Sequence, residues 1–477
     1  MENIGSDSDS QPSPDQPPVA LTPGSETRID IWQQTGSFPY PDLQVFPTPE
    51  THEYSKNELR LIHHLSSISN DLLLKGSTNM TIWAQMMPKF LSIASSYPYV
   101  MHALLSFSAN HLAWVHRSSE TRTLHIQHGS TALRGLHEAI GSFSRTNADA
   151  VLAASLLMLW QATDWRSWSS LRAGTQSVLT AMQSWKHESL FADYIAEEEL
   201  VAGSLLSNIS KLPINLSDRV STLQNIMQAL RRIQLALVGH EQELHWLNQL
   251  FIYIQRLQSL NPAQTAEEQF SQLYYLRKWL FWVPISLLQR NVGMLTLAHF
   301  YATALALEPL FPELGSSFCS AMALTPLEAI LSVMDTMQSE HTTQTRPTDT
   351  AAFLQFPRQM ALSYRSRALQ TQQGVSQEPS LVGQETWGYA TMGDISPAFT
   401  PPSLHYGTSH YSSSAQPPFL EVPSIYQGFN YGTQGWGVPS PGLPAQTYGN
   451  QDEHMCEYMS SMGNSRSGFV APVPIWT

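Results

Sequence analysis

A helical spacing of apolar residues beginning near Tyr54 constrains this chain more than any other feature. Ser55 and Glu58 have the S-x-x-E spacing of a capping box, in which each side chain satisfies a free backbone N–H group of the first helical turn. The apolar residues that follow recur every three or four positions: Leu59, Ile62, Leu65, Ile68 and Leu72. This period predicts an amphipathic helix that starts at the capping box.

A second helix start follows at Ser96, Tyr97 and Pro98. Proline suits the first helical turn because its missing N–H would have no intrahelical partner there. The larger apolar residues behind it again recur with helical period: Val100, Leu104, Phe107, Leu112 and Trp114. The stretch from Tyr54 to Trp114 therefore predicts consecutive helices.

The helical pattern continues to about Leu369. Asn147 is predicted to cap a helix over Ala148–Gln161, which is apolar on nearly every side and therefore typical of the centre of a large domain. Because we find no sustained alternation of apolar and polar residues with glycine-rich turns, we predict an all-α fold. The remaining segments with a helical pattern are Thr123–Phe143, a helix capped by Ser217, Leu244–Leu257 and Met294–Leu310.

Two later segments carry helix-start signals. Thr265 and Glu268 form a second capping box, which is predicted to lead into a helix over Tyr274–Leu288. Thr325, Pro326 and Glu328 have the types expected at the N-cap, first and third positions of a further helix.

Composition divides the chain into three parts. Residues 1–53 are rich in Ser, Pro, Asp and Gln and are predicted to be disordered, because they bury too little apolar surface to offset the entropy of ordering. Residues 54–370 form the predicted helical domain. Residues 371–477 are rich in Pro, Gly, Ser and Tyr, with scattered aromatics that do not pack a core but can make many weak contacts. This disordered tail is either an activation region or a tail without a role.

Charge and cysteine content limit the classes of function. The chain has 25 Lys and Arg against 38 Asp and Glu, a formal net charge of −13, which argues against broad contact with nucleic acid. The two cysteines, Cys319 and Cys456, cannot build a disulfide framework or a cysteine-rich metal site, and this suits a reducing compartment. We see no secretory signal and no apolar run long enough to span a membrane.

Three segments share an order and spacing with one protein family. Glu58–Leu65 reads ELRLIHHL, Tyr97–Leu105 reads YPYVMHALL, and Gln161–Gly174 reads QATDWRSWSSLRAG; Trp83 and the pair Met87-Pro88 lie between the first two. In these features the chain resembles the regulatory domain of fungal Zn2Cys6 zinc-cluster transcription factors, especially the sterol-uptake-regulator-like branch. The resemblance implies a nuclear regulator of transcription, which could shuttle from the cytoplasm, for a sterol pathway or a secondary-metabolite gene cluster.

The resemblance also raises a question about DNA binding. Members of that family carry a zinc cluster and a basic linker ahead of the regulatory domain, whereas residues 1–53 contain no cysteine and no basic run. Three alternatives remain: the chain acts through a partner, it is a cofactor-like paralogue, or the gene model lacks an upstream exon. We expect partners rather than direct DNA binding: a DNA-bound zinc-cluster factor or coactivator proteins, with a homo- or heterodimer as a further option.

Motifs of common enzyme classes are missing from the sequence. There is no phosphate-binding G-x-x-x-x-G-K-(S/T) loop, no dinucleotide fingerprint after a strand, no G-x-S-x-G elbow, no H-E-x-x-H helix and no adjacent aspartate pair. We therefore predict that the chain is not an enzyme, with no catalytic residue and no cofactor.

Histidines are the nearest approach to a ligand set. His125 and His128 lie one helical turn apart and could share a metal, but no carboxylate or cysteine nearby in sequence makes a convincing third ligand. We therefore expect structural or solvent-facing histidines and no metal site. The histidines in question are His63, His64, His102, His111, His125, His128 and His137.

A set of Met and aromatic residues is the second candidate site. Such a set could line a pocket for a sterol or another apolar small molecule, although a stripe of this kind is more often plain core. Two functions therefore remain open: a transcriptional regulator that works through protein contacts, and a cytosolic sensor of an apolar metabolite without a direct chromatin role. The residues are Trp83, Met86, Met87, Phe90, Met101, Phe107, Met158 and Trp160.

Overall fold

The computed structural model describes residues 19, 21–116, 118–206, 216–288, 290–314, 316–341 and 350–375. Within these ranges every regular element is an α-helix or a short 3₁₀ turn and no β-strand occurs, so the all-α prediction is confirmed. The first helices in chain order are α1 (Pro23–Thr35), α2 (Lys56–Leu74), α3 (Met87–Ala94), α4 (Pro98–His116), α5 (Ser119–Gly141), α6 (Ala148–Gln161), α7 (Trp165–Ala181) and α8 (Ala192–Leu206). The others are α9 (Leu216–Ala236), α10 (Glu241–Ser259), α11 (Ala266–Phe281), α12 (Ile285–Leu288), α13 (Asn291–Leu307), α14 (Ser316–His341), α15 (Thr350–Phe353) and α16 (Gln355–Val375).

Folded structure begins earlier than the sequence predicts. Disorder was expected through residue 53, but α1 forms there, and the Thr22 hydroxyl accepts from the backbone N–H of Ser25 at its start. Ile29 and Trp32 on α1 are fully buried, and α1 packs on α2. The prediction was wrong for this helix because tertiary packing of two large side chains outweighs a polar average composition. Residues 1–18 of the predicted segment lie outside the described residues.

The strongest local signals are confirmed. Both capping boxes are present, Ser55 with Glu58 at the start of α2 and Thr265 with Glu268 at the start of α11. Pro98 is the first residue of α4. The α6 helix has the predicted bounds, yet Asn147 makes no capping bond to it, because its side-chain oxygen accepts from the backbone N–H of Ser144 instead.

Prolines alter two of the predicted helices. The predicted Tyr274–Leu288 helix is interrupted: α11 ends at Phe281 and α12 starts after Pro284, which cannot donate the hydrogen bond that a continuous helix requires there. The predicted start at Thr325 is wrong. The α14 helix runs through Pro326, and the Thr325 hydroxyl donates to a carboxylate oxygen of Glu197 on α8 rather than accepting from the backbone of Glu328.

The continuation of α14 through proline has a packing cause. Met322, Ala323 and Leu324, just before the proline, are buried. The α14 helix packs on α13 and α8. Burial of that apolar turn compensates for the hydrogen bond that Pro326 cannot make.

The α6 helix lies at the centre of the core, as its uniform apolarity predicts. Every residue from Val151 to Gln161 is buried, and α3, α4, α5 and α7 surround the helix. A second group of helices forms around α13, which contacts α9, α10, α14 and α16. Trp83, just before α3, contacts the end of α11, because its indole N–H donates to the carbonyl oxygen of Phe281 at 3.2 Å.

The C-terminal part of the prediction is tested only in part. The α16 helix continues to Val375, five residues past the predicted end of the helical domain at 370. The remainder of the predicted tail, residues 376–477, lies outside the described residues. Among the helices described, none combines the length and apolarity that crossing a membrane requires.

Candidate functional site

The seven histidines named above all lie on α2, α4 and α5, and several of them meet where these helices pack together. The close approach of α4 and α5 depends on glycine: a Cβ atom on Gly135 would lie 2.5 Å from the Cβ of Tyr99, and one on Gly129 would lie 3.1 Å from the Ser106 hydroxyl. With hydrogen at these positions the two helices lie side by side along much of their length. Histidine side chains on the facing surfaces of α4 and α5 are therefore in contact.

One side-chain group combines the three helices. Glu58 from the first turn of α2, His102 from α4 and His128 from α5 each offer a ligand atom, and these atoms all lie within 4.8 Å of one another. The Nδ1 atoms of the two histidines are 3.1 Å apart, with the rings stacked at an interplanar angle of 24°. Glu58 and His102 are half-buried and His128 is buried. This arrangement supplies the carboxylate that sequence spacing could not identify.

The structure does not bring His125 and His128 together as a ligand pair. Although one helical turn apart, they face different partners: the Nδ1 atom of His125 lies 2.9 Å from the Ser106 hydroxyl, and Gln161 accepts from the same hydroxyl. His128 faces His102 instead. A spacing of one helical turn predicts that two residues lie on the same side of a helix. It does not determine which neighbouring helix each side chain contacts.

A second histidine pair joins α2 to α4. The Nε2 atom of His64 lies 2.8 Å from the Nδ1 atom of His111. The His111 ring also packs on Trp282, with ring centroids 4.7 Å apart. His63, the neighbour of His64, meets the hydroxyl of Tyr40 at 2.8 Å. These three histidines are integrated into the core.

Burial sets the charge state of these rings. It lowers the pKa of His63 and of His111 to about 4, and that of His64 well below its ordinary value. Desolvation also lowers the pKa of His102 and of His128. The histidines between the three helices are therefore neutral at neutral pH and retain a ring nitrogen lone pair. His137, by contrast, is exposed on α5.

The Met and aromatic residues proposed as a pocket lining form packed core. Each of the eight is buried, and their rings are in contact: Phe90 with Trp160 at 5.7 Å and Phe107 with Trp83 at 5.8 Å between centroids. A small pocket beside Met86, between Tyr194 and Thr325, has a volume of about 20 Å³, room for one water. A sterol in this region therefore requires rearrangement of the core.

Part of the chain matches a known protein family. Residues 86–277, from the start of α3 into α11, match the family model described as the fungal specific transcription factor domain. This match agrees with the resemblance that the sequence predicts for these residues.

Two curated proteins are similar to a part of the chain. The chain is 30% identical over 99 residues to sterol uptake control protein 2 of Candida albicans, and 32% identical over 103 residues to sterol uptake control protein 2 of Saccharomyces cerevisiae. Each match covers 21% of this chain but only 13% and 11% of the respective relative. No solved structure matches the chain.

Proposed function

We propose that this chain is a nuclear regulator of transcription that acts through protein–protein contacts. The observation that carries the proposal is the match of residues 86–277 to the fungal specific transcription factor domain. Those residues include α6 and the helices packed around it, so the matched region is the centre of the fold. The family is defined by transcription factors and not by a catalytic activity.

Electrostatics favour action through a partner over direct contact with DNA phosphates. The chain has a formal net charge of −13, and several described cations face carboxylates. The Nε and Nη2 atoms of Arg60 donate to the two carboxylate oxygens of Glu26 at 2.7 and 3.0 Å. The Nζ atom of Lys186 lies 2.6 Å from a carboxylate oxygen of Glu199. Binding to DNA needs basic groups free to displace counterions. A DNA-bound zinc-cluster factor, in a heterodimer, is the partner we propose.

The proposed targets follow from the relatives. Both are named for control of sterol uptake, which supports a sterol pathway as the regulated process, with a secondary-metabolite gene cluster as the other candidate. The predicted C-terminal segment, residues 371–477, would recruit coactivators through its dispersed aromatics.

Chromatin immunoprecipitation of the tagged full chain, read across the genome in sterol-rich and sterol-depleted medium, tests this proposal. We expect discrete promoter peaks that are missing from a strain carrying the tag alone. The same experiment, repeated after deletion of a zinc-cluster factor that co-purifies with the chain, should abolish the peaks. Absence of enrichment in both media would contradict a role at promoters.

A cytosolic sensor of an apolar metabolite is the alternative, supported by the names of the same relatives. It is distinguished by fractionation together with mass spectrometry of an organic extract of the purified chain. A stoichiometric sterol with no nuclear pool would favour the sensor. A nuclear pool with promoter peaks would favour the regulator, whether or not a sterol is bound.

A further inference from the structure

We propose that Glu58, His102 and His128 bind one zinc ion, which ties the first turn of α2 to the α4–α5 pair. The three residues come from three different helices. The inference rests on their geometry and does not depend on the proposed role in transcription.

The distances suit a single ion. Zinc bonds imidazole nitrogen at about 2.0–2.1 Å and carboxylate oxygen at about 2.0–2.2 Å. Two nitrogens 3.1 Å apart can both reach an ion at that distance, with an N–Zn–N angle of roughly 100°, close to tetrahedral. One Glu58 oxygen lies within 4.8 Å of both nitrogens, so a small side-chain rotation completes three of four positions. Water or a group from a partner protein would take the fourth.

The donor set selects the metal class. Two neutral imidazoles and one carboxylate suit zinc and its first-row neighbours, whereas calcium and magnesium prefer oxygen ligands alone.

Part of the site is held in place without metal. The Ser55 backbone N–H and hydroxyl both donate to Oε2 of Glu58 at 2.8 Å, which holds the carboxylate near the start of α2. The close α4–α5 contact at Gly129 and Gly135 brings the Nδ1 atoms of His102 and His128 to 3.1 Å. Supporting bonds of this kind orient the ligands of protein metal sites.

Two other groups in the described part of the chain are weaker candidates. Glu50, His52 and Glu53 also converge within 4.8 Å, but all three are exposed. The pair His64 and His111 forms a 2.8 Å contact, and no third ligand joins it among the described residues. The group on α2, α4 and α5 is the one that combines burial, mixed ligands and orienting bonds.

Calorimetric titration of the full chain with zinc chloride, after chelator treatment and removal of any affinity tag, tests the site. We expect one zinc per chain and a rise in the melting temperature. Glu58→Gln is the sharpest variant, because glutamine at this position preserves the capping box while removing the charged ligand. Glu58→Gln and His102→Gln should each weaken zinc binding at least 10-fold and abolish the thermal shift.

Matched controls separate this site from others. His137→Gln, an exposed change on the same helix as His128, and His52→Gln in the exposed group should leave zinc affinity unchanged. Cobalt gives an independent readout, because a tetrahedral site with two nitrogens gives visible absorption bands that Glu58→Gln should alter. The proposal is overturned if the wild-type chain shows no stoichiometric binding. It is equally overturned if Glu58→Gln and His102→Gln bind zinc as the wild-type chain does, or if His52→Gln alone removes it.

Discussion

At the scale of single residues, the burial of a histidine determines how far its pKa is lowered. His299 is fully buried on α13, with Nδ1 donating to the Leu295 carbonyl at 2.9 Å, and burial lowers its pKa to about 4. His63 and His111 have pKa values of about 4 for the same reason. His52, by comparison, is exposed.

These values predict a loss of stability in mild acid. The unfolded chain protonates its histidines near 6.5, whereas these three stay neutral in the folded state down to about 4. Their contribution is therefore complete above pH 6.5 and is lost as pH falls toward 4, by about 1.4 kcal/mol per histidine for each pH unit. Urea unfolding of the wild-type chain should show a lower free energy of unfolding at pH 5.5 than at pH 7.5.

A His299→Phe variant isolates one of these groups. The aromatic ring remains beside Phe356, whose centroid is 6.0 Å from that of His299, but the titration is removed. The difference between the free energies of unfolding at the two pH values should shrink by roughly 1.4 kcal/mol. An unaltered difference in His299→Phe would show that His299 is not held neutral.

Glycine at the α4–α5 contact makes a second prediction at this scale. Alanine in place of glycine inside a helix ordinarily stabilises it by about 1 kcal/mol. At Gly135, however, the new Cβ would meet the Cβ of Tyr99 at 2.5 Å, close to the backbone of α4 where little can move. Gly135→Ala should therefore destabilise the domain, by about 1–3 kcal/mol.

Gly174 provides the matched control, because it lies inside α7 and a Cβ there meets nothing within 4 Å. Gly174→Ala should leave the melting temperature unchanged or raise it. Equal effects of the two substitutions in a thermal melt would contradict the close approach of α4 and α5.

At the scale of elements, α1 is the clearest case of a helix that depends on its partner. Its sequence is polar on average, and Ile29 and Trp32 provide its buried contact. A bidentate ion pair between Glu26 and Arg60 links it to α2. A short helix with so few apolar residues is not stable alone in water, so docking on α2 and helix formation are coupled.

Adjacent residues on α1 test this coupling. Trp32→Ala removes a fully buried side chain and should lower the free energy of unfolding by about 3–5 kcal/mol. Ile31, 53% exposed, should tolerate alanine with a change within about 0.5 kcal/mol. Hydrogen exchange should also show loss of protection across α1 in the Trp32 variant. Retained protection there would contradict the docking of α1.

At the scale of the whole molecule, a cluster of aromatic rings joins the matched family region to the helices that follow it. Phe107 on α4 packs against Phe281 and Trp282, with centroids 5.5 and 4.8 Å away. Tyr301 on α13 donates its hydroxyl to the Met80 carbonyl at 2.9 Å.

This arrangement predicts that the family region is not an independent folding unit. A fragment of residues 19–277 lacks Phe281, Trp282 and Tyr301 and leaves the Trp83 indole without its acceptor. It should lose near-ultraviolet circular dichroism, bind a hydrophobic dye and melt without cooperativity. A fragment of residues 19–375 should retain native behaviour. Cooperative melting of the shorter fragment would contradict the coupling.

The sequence alone determined the helical class, both capping boxes, the proline start of α4 and the bounds of α6. These features depend on hydrogen bonds and apolar periods within a few residues of one another, which are readable along the chain. The family resemblance of the segment from Glu58 to Gly174 can also be recognised in the sequence, because it rests on the order and spacing of residues along the chain.

Tertiary structure alone decided which side chains meet. The packing of α1 on α2 and the continuation of α14 through Pro326 both depend on tertiary contacts. So do the contact of His125 with Ser106 and the convergence of His128 with His102 and Glu58. Each outcome depends on the free energy of burying groups far apart in sequence, a quantity that local pattern does not contain. The candidate zinc site is therefore a product of packing: its three ligands are 44 and 26 residues apart in sequence and become neighbours because two glycines let α5 lie against α4.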